Sequence, residues 1–102
     1  MATRTHVWGA MDSDTSDEAL DALLDELAGA DGDHPDVSVK RESEWRLGVS
    51  RGGLLVWENV EEGEPRHMSG VERQEARRLL GLVARGDLAT VERLDWLPGY
   101  GR

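Results

Sequence analysis

The hydrophobic positions of the chain change period several times, and each change marks an element. Leu20, Leu23, Leu24 and Leu27 fall at i, i+3, i+4 and i+7, with Asp17, Glu18, Asp21, Asp25 and Glu26 between them. This is the spacing of an amphipathic helix with an acidic outer face. Thr15-Ser16-Asp17-Glu18 reads as a capping box that starts the helix at Thr15, and Gly29 is placed to end it. Ahead of the helix, Thr5 to Met11 alternates through Val7 and Trp8 and predicts a short first strand. Behind it, Ala30 to Pro35 reads as a turn, and the period then falls to two. Val37 and Val39 alternate with Ser38 and Lys40, and Trp45, Leu47 and Val49 alternate with Arg46, Gly48 and Ser50, as in half-buried strands. Arg51-Gly52-Gly53 is a hairpin signal, leading into the denser run Leu54 to Trp57. Glu61 to Pro65 supplies another turn, and Arg66 to Met68 a last strand of the meander.

A second helical period follows in Ala76, Leu79, Leu80 and Val83, with Arg73, Arg77, Arg78 and Arg85 mostly outside. Ser69-Gly70-Val71-Glu72 reads as its capping box and Gly86 as its stop, while Gly81 inside it predicts close packing at that point. Val91 to Trp96 is expected as an edge strand with Leu94 and Trp96 on one face. The order strand, helix, strands, helix, strand predicts one α+β domain spanning residues 1–102. Its architecture is an antiparallel sheet of about four to six strands with two helices packed on one face.

Charge sharpens this picture because it is unevenly placed. The net charge is −9, and residues 1–36 carry ten acids against the single base Arg4. From Val37 onward acids and bases balance at eleven each. Such a field repels nucleic acid, which needs an excess of lysine and arginine on one face, and attracts a basic protein. The sequence has no cysteine, so neither disulfides nor thiolate chemistry is expected. Met1 to Asp14 lacks the basic start and apolar stretch of a signal peptide, and no run approaches the roughly 20 apolar residues of a membrane span. A cytoplasmic location is expected.

The residues offer little to chemistry. No serine stands in a Gly-x-Ser-x-Gly elbow, and His6, His34 and His67 lack a short-range second ligand. Asp12-x-Asp14 and Asp31-x-Asp33 open like calcium loops, but neither frame has glycine at the sixth position. No nucleotide-binding glycine motif is present. The reading is therefore of a binding protein without catalytic residues, metal or cofactor. Four tryptophans accompany no phenylalanine, and strand context predicts burial for Trp8, Trp45 and Trp57, with Trp96 also structural.

Gly52-Gly53-Leu54-Leu55-Val56-Trp57-Glu58-Asn59, Glu64-Pro65, the second helix, and Gly86-Asp87 leading to Leu94-Asp95-Trp96 together resemble the type-one immunity protein family of bacterial polymorphic toxin systems. The likeness covers roughly Val37 to Pro98. It implies a cognate toxin, commonly a nucleic-acid deaminase, neutralised by tight binding. A deaminase recruits a polyanion to a basic cleft, so an acidic protein fits the role of occupying that cleft. The candidate partner-binding residues are Asp17, Asp21 and Asp25 on the acidic helix, Glu58, Glu61, Glu62 and Glu64 around the later turn, and Trp57 as an anchor. A second reading is a small ligand-binding or regulatory domain with a pocket near Trp45 and Trp57.

Overall fold

The computed structural model describes residues 2–30 and 35–101. Its centre is a seven-stranded sheet in the order β2-β1-β3-β4-β5-β6-β7, every neighbouring pair antiparallel. The strands are β1 (Ala2–Thr5), β2 (Met11–Asp12), β3 (Asp36–Arg41), β4 (Trp45–Ser50), β5 (Leu54–Asn59), β6 (Arg66–Met68) and β7 (Leu97–Pro98). Helices α1 (Asp17–Ala28), α2 (Arg73–Arg85) and the short α3 (Leu88–Glu92) cover one face. The α+β class is as expected; the described residues form seven strands, more than the four to six that the sequence predicts, and three helices rather than two.

Alternation decides which side chains meet the helices. Val37, Val39, Leu47, Val49, Leu55 and Trp57 point to one face, where they meet Leu20, Leu23, Leu24 and Leu27 of α1 and Leu79, Leu80 and Val83 of α2 in one core cluster. On the other face Arg46 folds across Gly48 towards Asp36, with a 3.3 Å hydrogen bond from Nη2 to the carboxylate. Gly48 leaves room for that guanidinium, and a Cβ there would meet Arg46 Nη1 at 2.8 Å.

Four boundaries depart from the sequence reading, each for a local reason. The first strand is Ala2–Thr5 rather than Thr5–Met11, because the chain folds back at once. His6 N–H donates to Ala10 O at 2.8 Å, and Gly9 adopts a φ of 93°. Helix α1 is capped by Ser16, not Thr15: its hydroxyl accepts from Ala19 N at 3.2 Å, while Asp14 takes the Ser16 N–H that a box glutamate would have claimed. Helix α2 starts after Glu72 with no side-chain cap. Residues 69–71 instead run past the β4–β5 turn, where Val71 N–H donates to Gly53 O at 3.0 Å. The expected edge strand at Val91–Trp96 is largely helix α3 and its exit. Asp87 caps α3 through Thr90, and Leu88 and Val91 sit at helical spacing with Val91 fully buried. Pairing with β6 falls to Leu97–Pro98. The turn read at Ala30–Pro35 falls mostly on residues 31–34, outside the described residues.

The end of α2 is doubly closed. Gly86 takes the left-handed conformation, and the amides of Gly86 and Asp87 bond to Val83 O and Leu82 O. Arg41 of β3 reaches the same helix end, its Nη1 donating to Ala84 O at 2.8 Å and Val83 O at 3.3 Å. A cation there satisfies free carbonyls and opposes the helix dipole.

Candidate functional site

Helix α1 divides its acids among three directions. Asp17, Asp21 and Asp25 turn towards α2, where Arg77 donates to Asp17 and Asp21 at 2.9 Å each and Arg73 to Asp25 at 2.7 Å. The arginines expected on the outer side of α2 thus partly neutralise the acidic face of α1. All three aspartates remain exposed, so each pair contributes at most about 1 kcal/mol. Glu26 turns the other way, towards β1, and Glu18 and Ala22 lie between the two edges, exposed to solvent.

The second group of expected contacts lies elsewhere. Glu61, Glu62 and Glu64 are exposed on the β5–β6 turn, whose backbone is tied down by Asn59 Oδ1 accepting from Glu61 N and Glu62 N. Strand register puts this turn at the Ala2–Arg41 end of the sheet, and the β1–β2 turn at the other. The two acidic groups therefore do not form one surface. Glu58 is half-buried on the sheet face away from the helices, opposite Arg46, with Oε2 buried and without a hydrogen-bond partner.

Trp57 is fully buried and cannot serve as a surface anchor. It stacks on Trp45 at 4.8 Å and lies 6.3 Å from Trp96, and its indole N–H donates to Glu92 Oε1 at 2.6 Å. Glu92 also accepts from Arg66, whose guanidinium stands 6.0 Å from the Trp45 ring. Trp96 donates to Val91 O at 2.8 Å. Three of the four tryptophans are thus spent on one stack, in which the indole N–H groups of Trp57 and Trp96 are hydrogen-bonded.

That stack fills the space in which a ligand pocket was expected. A cavity of about 160 Å³ lies instead between α1, the β4–β5 turn and α2, lined by Leu24, Leu27, Val49, Gly53, Val71 and Ala76. It falls short of the roughly 300–1,000 Å³ usual for small-molecule sites.

Trp8 breaks the expectation of burial. It sits on the β1–β2 turn and is 67 % exposed. Its ring stacks on His6 at 4.7 Å with 12° between the planes. His6 is itself clamped, with Nδ1 2.7 Å from Glu26 Oε2 and Nε2 2.8 Å from Asp12 Oδ2. Both carboxylates accept, so the arrangement suits an imidazolium with two N–H donors. The hydrogen bonds to Asp12 and Glu26 accordingly hold the His6 pKa above its ordinary value. Arg4 completes the cluster with a paired contact to Asp12 at 2.7 and 3.1 Å and a bond to Ala19 O. Hydrogen bonds from Arg4 and then His6 keep the Asp12 carboxyl far below the usual range.

The one signal of this cluster in the sequence is the short His-x-Trp-Gly stretch at residues 6–9, which forms a turn where alternation predicts strand. Met11 is also exposed, but it pairs with Thr5 and faces the opposite side of the sheet from His6. Among the described residues no group of three His, Cys, Asp or Glu side chains is arranged to hold a metal ion, and no helix is long and apolar enough to cross a membrane. No family model matches the chain, and no curated protein or solved structure matches it either.

Proposed function

We propose that the chain is an immunity protein that binds a cognate polymorphic toxin, a nucleic-acid deaminase, and blocks its substrate cleft by bulk and charge. The observation that carries this reading is the placing of the whole net charge of −9 within residues 1–36. Asp14, Asp17, Glu18, Asp21 and Asp25 are all exposed, with Asp17, Asp21 and Asp25 only partly offset by Arg73 and Arg77. Such a surface complements a cleft built to hold a polyanion, and it speeds encounter with it. The inhibitor performs no reaction and needs no cofactor; it works in the cytoplasm, where the toxin's substrate lies.

Co-expression with the toxin domain encoded beside its gene tests the proposal. Growth restored by this protein, and not by an unrelated acidic protein of equal size, supports it. Growth arrest that persists with the protein soluble and abundant contradicts it.

A further inference from the structure

We infer that the β1–β2 turn is the docking tip of the molecule: Trp8 enters an apolar pocket on the basic toxin while Asp14 and Glu18 face lysines or arginines beside that pocket. The inference rests on the proposed protective function and adds to it the residue that anchors the complex.

Three observations lead there. Trp8 is the largest exposed apolar side chain, and the other three tryptophans are committed to an internal stack. A single exposed hydrophobic residue is ordinary on a protein surface, but this one is held still. Its ring lies flat on His6, His6 is fixed by Glu26 of α1 and Asp12 of β2, and the turn is closed by the bonds His6 N to Ala10 O and Gly9 N to His6 O. Ordering an indole beforehand lowers the entropy lost on docking, which is why rigid tryptophans serve as anchors at interfaces.

The charge nearby selects the partner. Arg4 and His6 pair with Asp12 and Glu26, and Arg73 and Arg77 pair with Asp17, Asp21 and Asp25. Asp14 and Glu18 are exposed; Arg4 attracts Asp14 from nearby, while Glu18 forms no ion pair among the described residues. Asp14 precedes the start of α1 and Glu18 lies in its first turn, while Glu26, about two turns further along the helix, reaches the β1–β2 turn. An exposed indole within a stretch that carries ten acids against one base fits a basic protein surface with an apolar recess. It fits a second copy of this acidic chain poorly, since like charges would meet.

The test measures binding of the purified toxin domain by the parent protein, Trp8→Ala, the pair Asp14→Asn and Glu18→Gln, and the pair Glu61→Gln and Glu62→Gln at the far end of the sheet. Trp8→Ala should weaken binding by about thirtyfold, mainly through faster dissociation. The Asp14 and Glu18 pair should slow association and flatten its dependence on salt. The Glu61 and Glu62 pair should leave both rates unchanged. Should Trp8→Ala lose its fold by circular dichroism, Trp8→Leu replaces it, with the same expectation. A parent that binds while the folded Trp8 variant binds within twofold of it overturns the docking tip and leaves the protective function standing. A parent that binds no toxin overturns both.

Discussion

Glu92 accepts the indole N–H of Trp57 at 2.6 Å, joining the end of the short helix α3 to the middle of the sheet across 35 positions of sequence. The same carboxylate oxygen accepts from Arg66 of β6, so one side chain satisfies a buried donor and ties down the strand beside it. Burial pushes the Glu92 carboxyl up, but the hydrogen bonds from Arg66 and Trp57 outweigh it and the net shift is downward. Glu92→Ala leaves the Trp57 N–H without its acceptor and should destabilise the fold by about 1–3 kcal/mol, measured by urea denaturation. The depressed carboxyl also sets a sign. Its contribution is present above the unfolded carboxylate range and is lost as pH falls through the folded value, so the gap between parent and Glu92→Ala should narrow in acid.

His6 carries the opposite sign. Its folded pKa is raised by Asp12 and Glu26, with burial and Arg4 opposing, so the stabilisation it brings is complete below the ordinary value of 6.5. It is lost as pH rises through the folded value. The difference in thermal midpoint between the parent and His6→Gln should therefore be largest at mildly acidic pH, below 6.5, and should shrink through neutral pH into alkali. A difference that grows with pH would show that the imidazolium clamp is not what holds the β1–β2 turn.

Glycine substitutions separate two kinds of site. Gly53 has a φ of 88°, and a Cβ there would meet the Val71 carbonyl oxygen at 2.7 Å and the Val71 nitrogen at 3.0 Å. Gly52 has a similar φ of 96° but nothing within 4 Å of a Cβ. Gly52→Ala should cost about 1–2 kcal/mol for the left-handed backbone alone, and Gly53→Ala clearly more. Gly81 behaves differently from the close packing its sequence position predicted. Its Cβ would meet only the guanidinium ends of Arg77 and Arg85, each at 3.2 Å, and these can move aside. Gly81→Ala should stabilise the protein by about 0.5–1 kcal/mol in denaturation, because α2 loses its most flexible residue.

Leu79 and Leu23 are each fully buried where α2 and α1 meet the sheet. Truncation of either to alanine should cost about 2–5 kcal/mol, the range for a buried leucine that leaves a cavity. The 160 Å³ cavity borders Leu24 and Leu27, the side chains that turn towards the β4–β5 end of α1. Leu24→Met should fill part of it at little cost, and retention of the thermal midpoint within a few degrees checks this.

The periodicities made the core legible. Leu20, Leu23, Leu24 and Leu27, the alternating valines of β3, and Leu79, Leu80 and Val83 all lie where their spacing put them, because burial on one face is what period 3.6 and period 2 encode. Cap chemistry was legible only to within a residue or more. Thr15 and Ser16 both suit an N-cap, and the choice of Ser16 depended on Asp14 taking its amide; Ser69 lost its role to the contact between Val71 and Gly53. Leu88 and Val91 show a helical interval, but five residues are too few for a period to outweigh the alternation that Leu94 and Trp96 suggested. The candidate surface was legible as charge and not as geometry. Composition marked the acidic N-terminal third, while the pairing of Asp17, Asp21 and Asp25 with Arg73 and Arg77 joins positions about fifty residues apart. Trp8 was misplaced because alternation extends through His6 and Val7 past the point where Gly9 lets the chain turn back.

The proposed immunity function is tested most directly by assaying nucleic-acid deamination by the proposed toxin while this protein is titrated in. Inhibition should be complete near one equivalent, overcome by excess nucleic acid and weakened as salt rises. Undiminished deamination with several equivalents of folded protein present would contradict it.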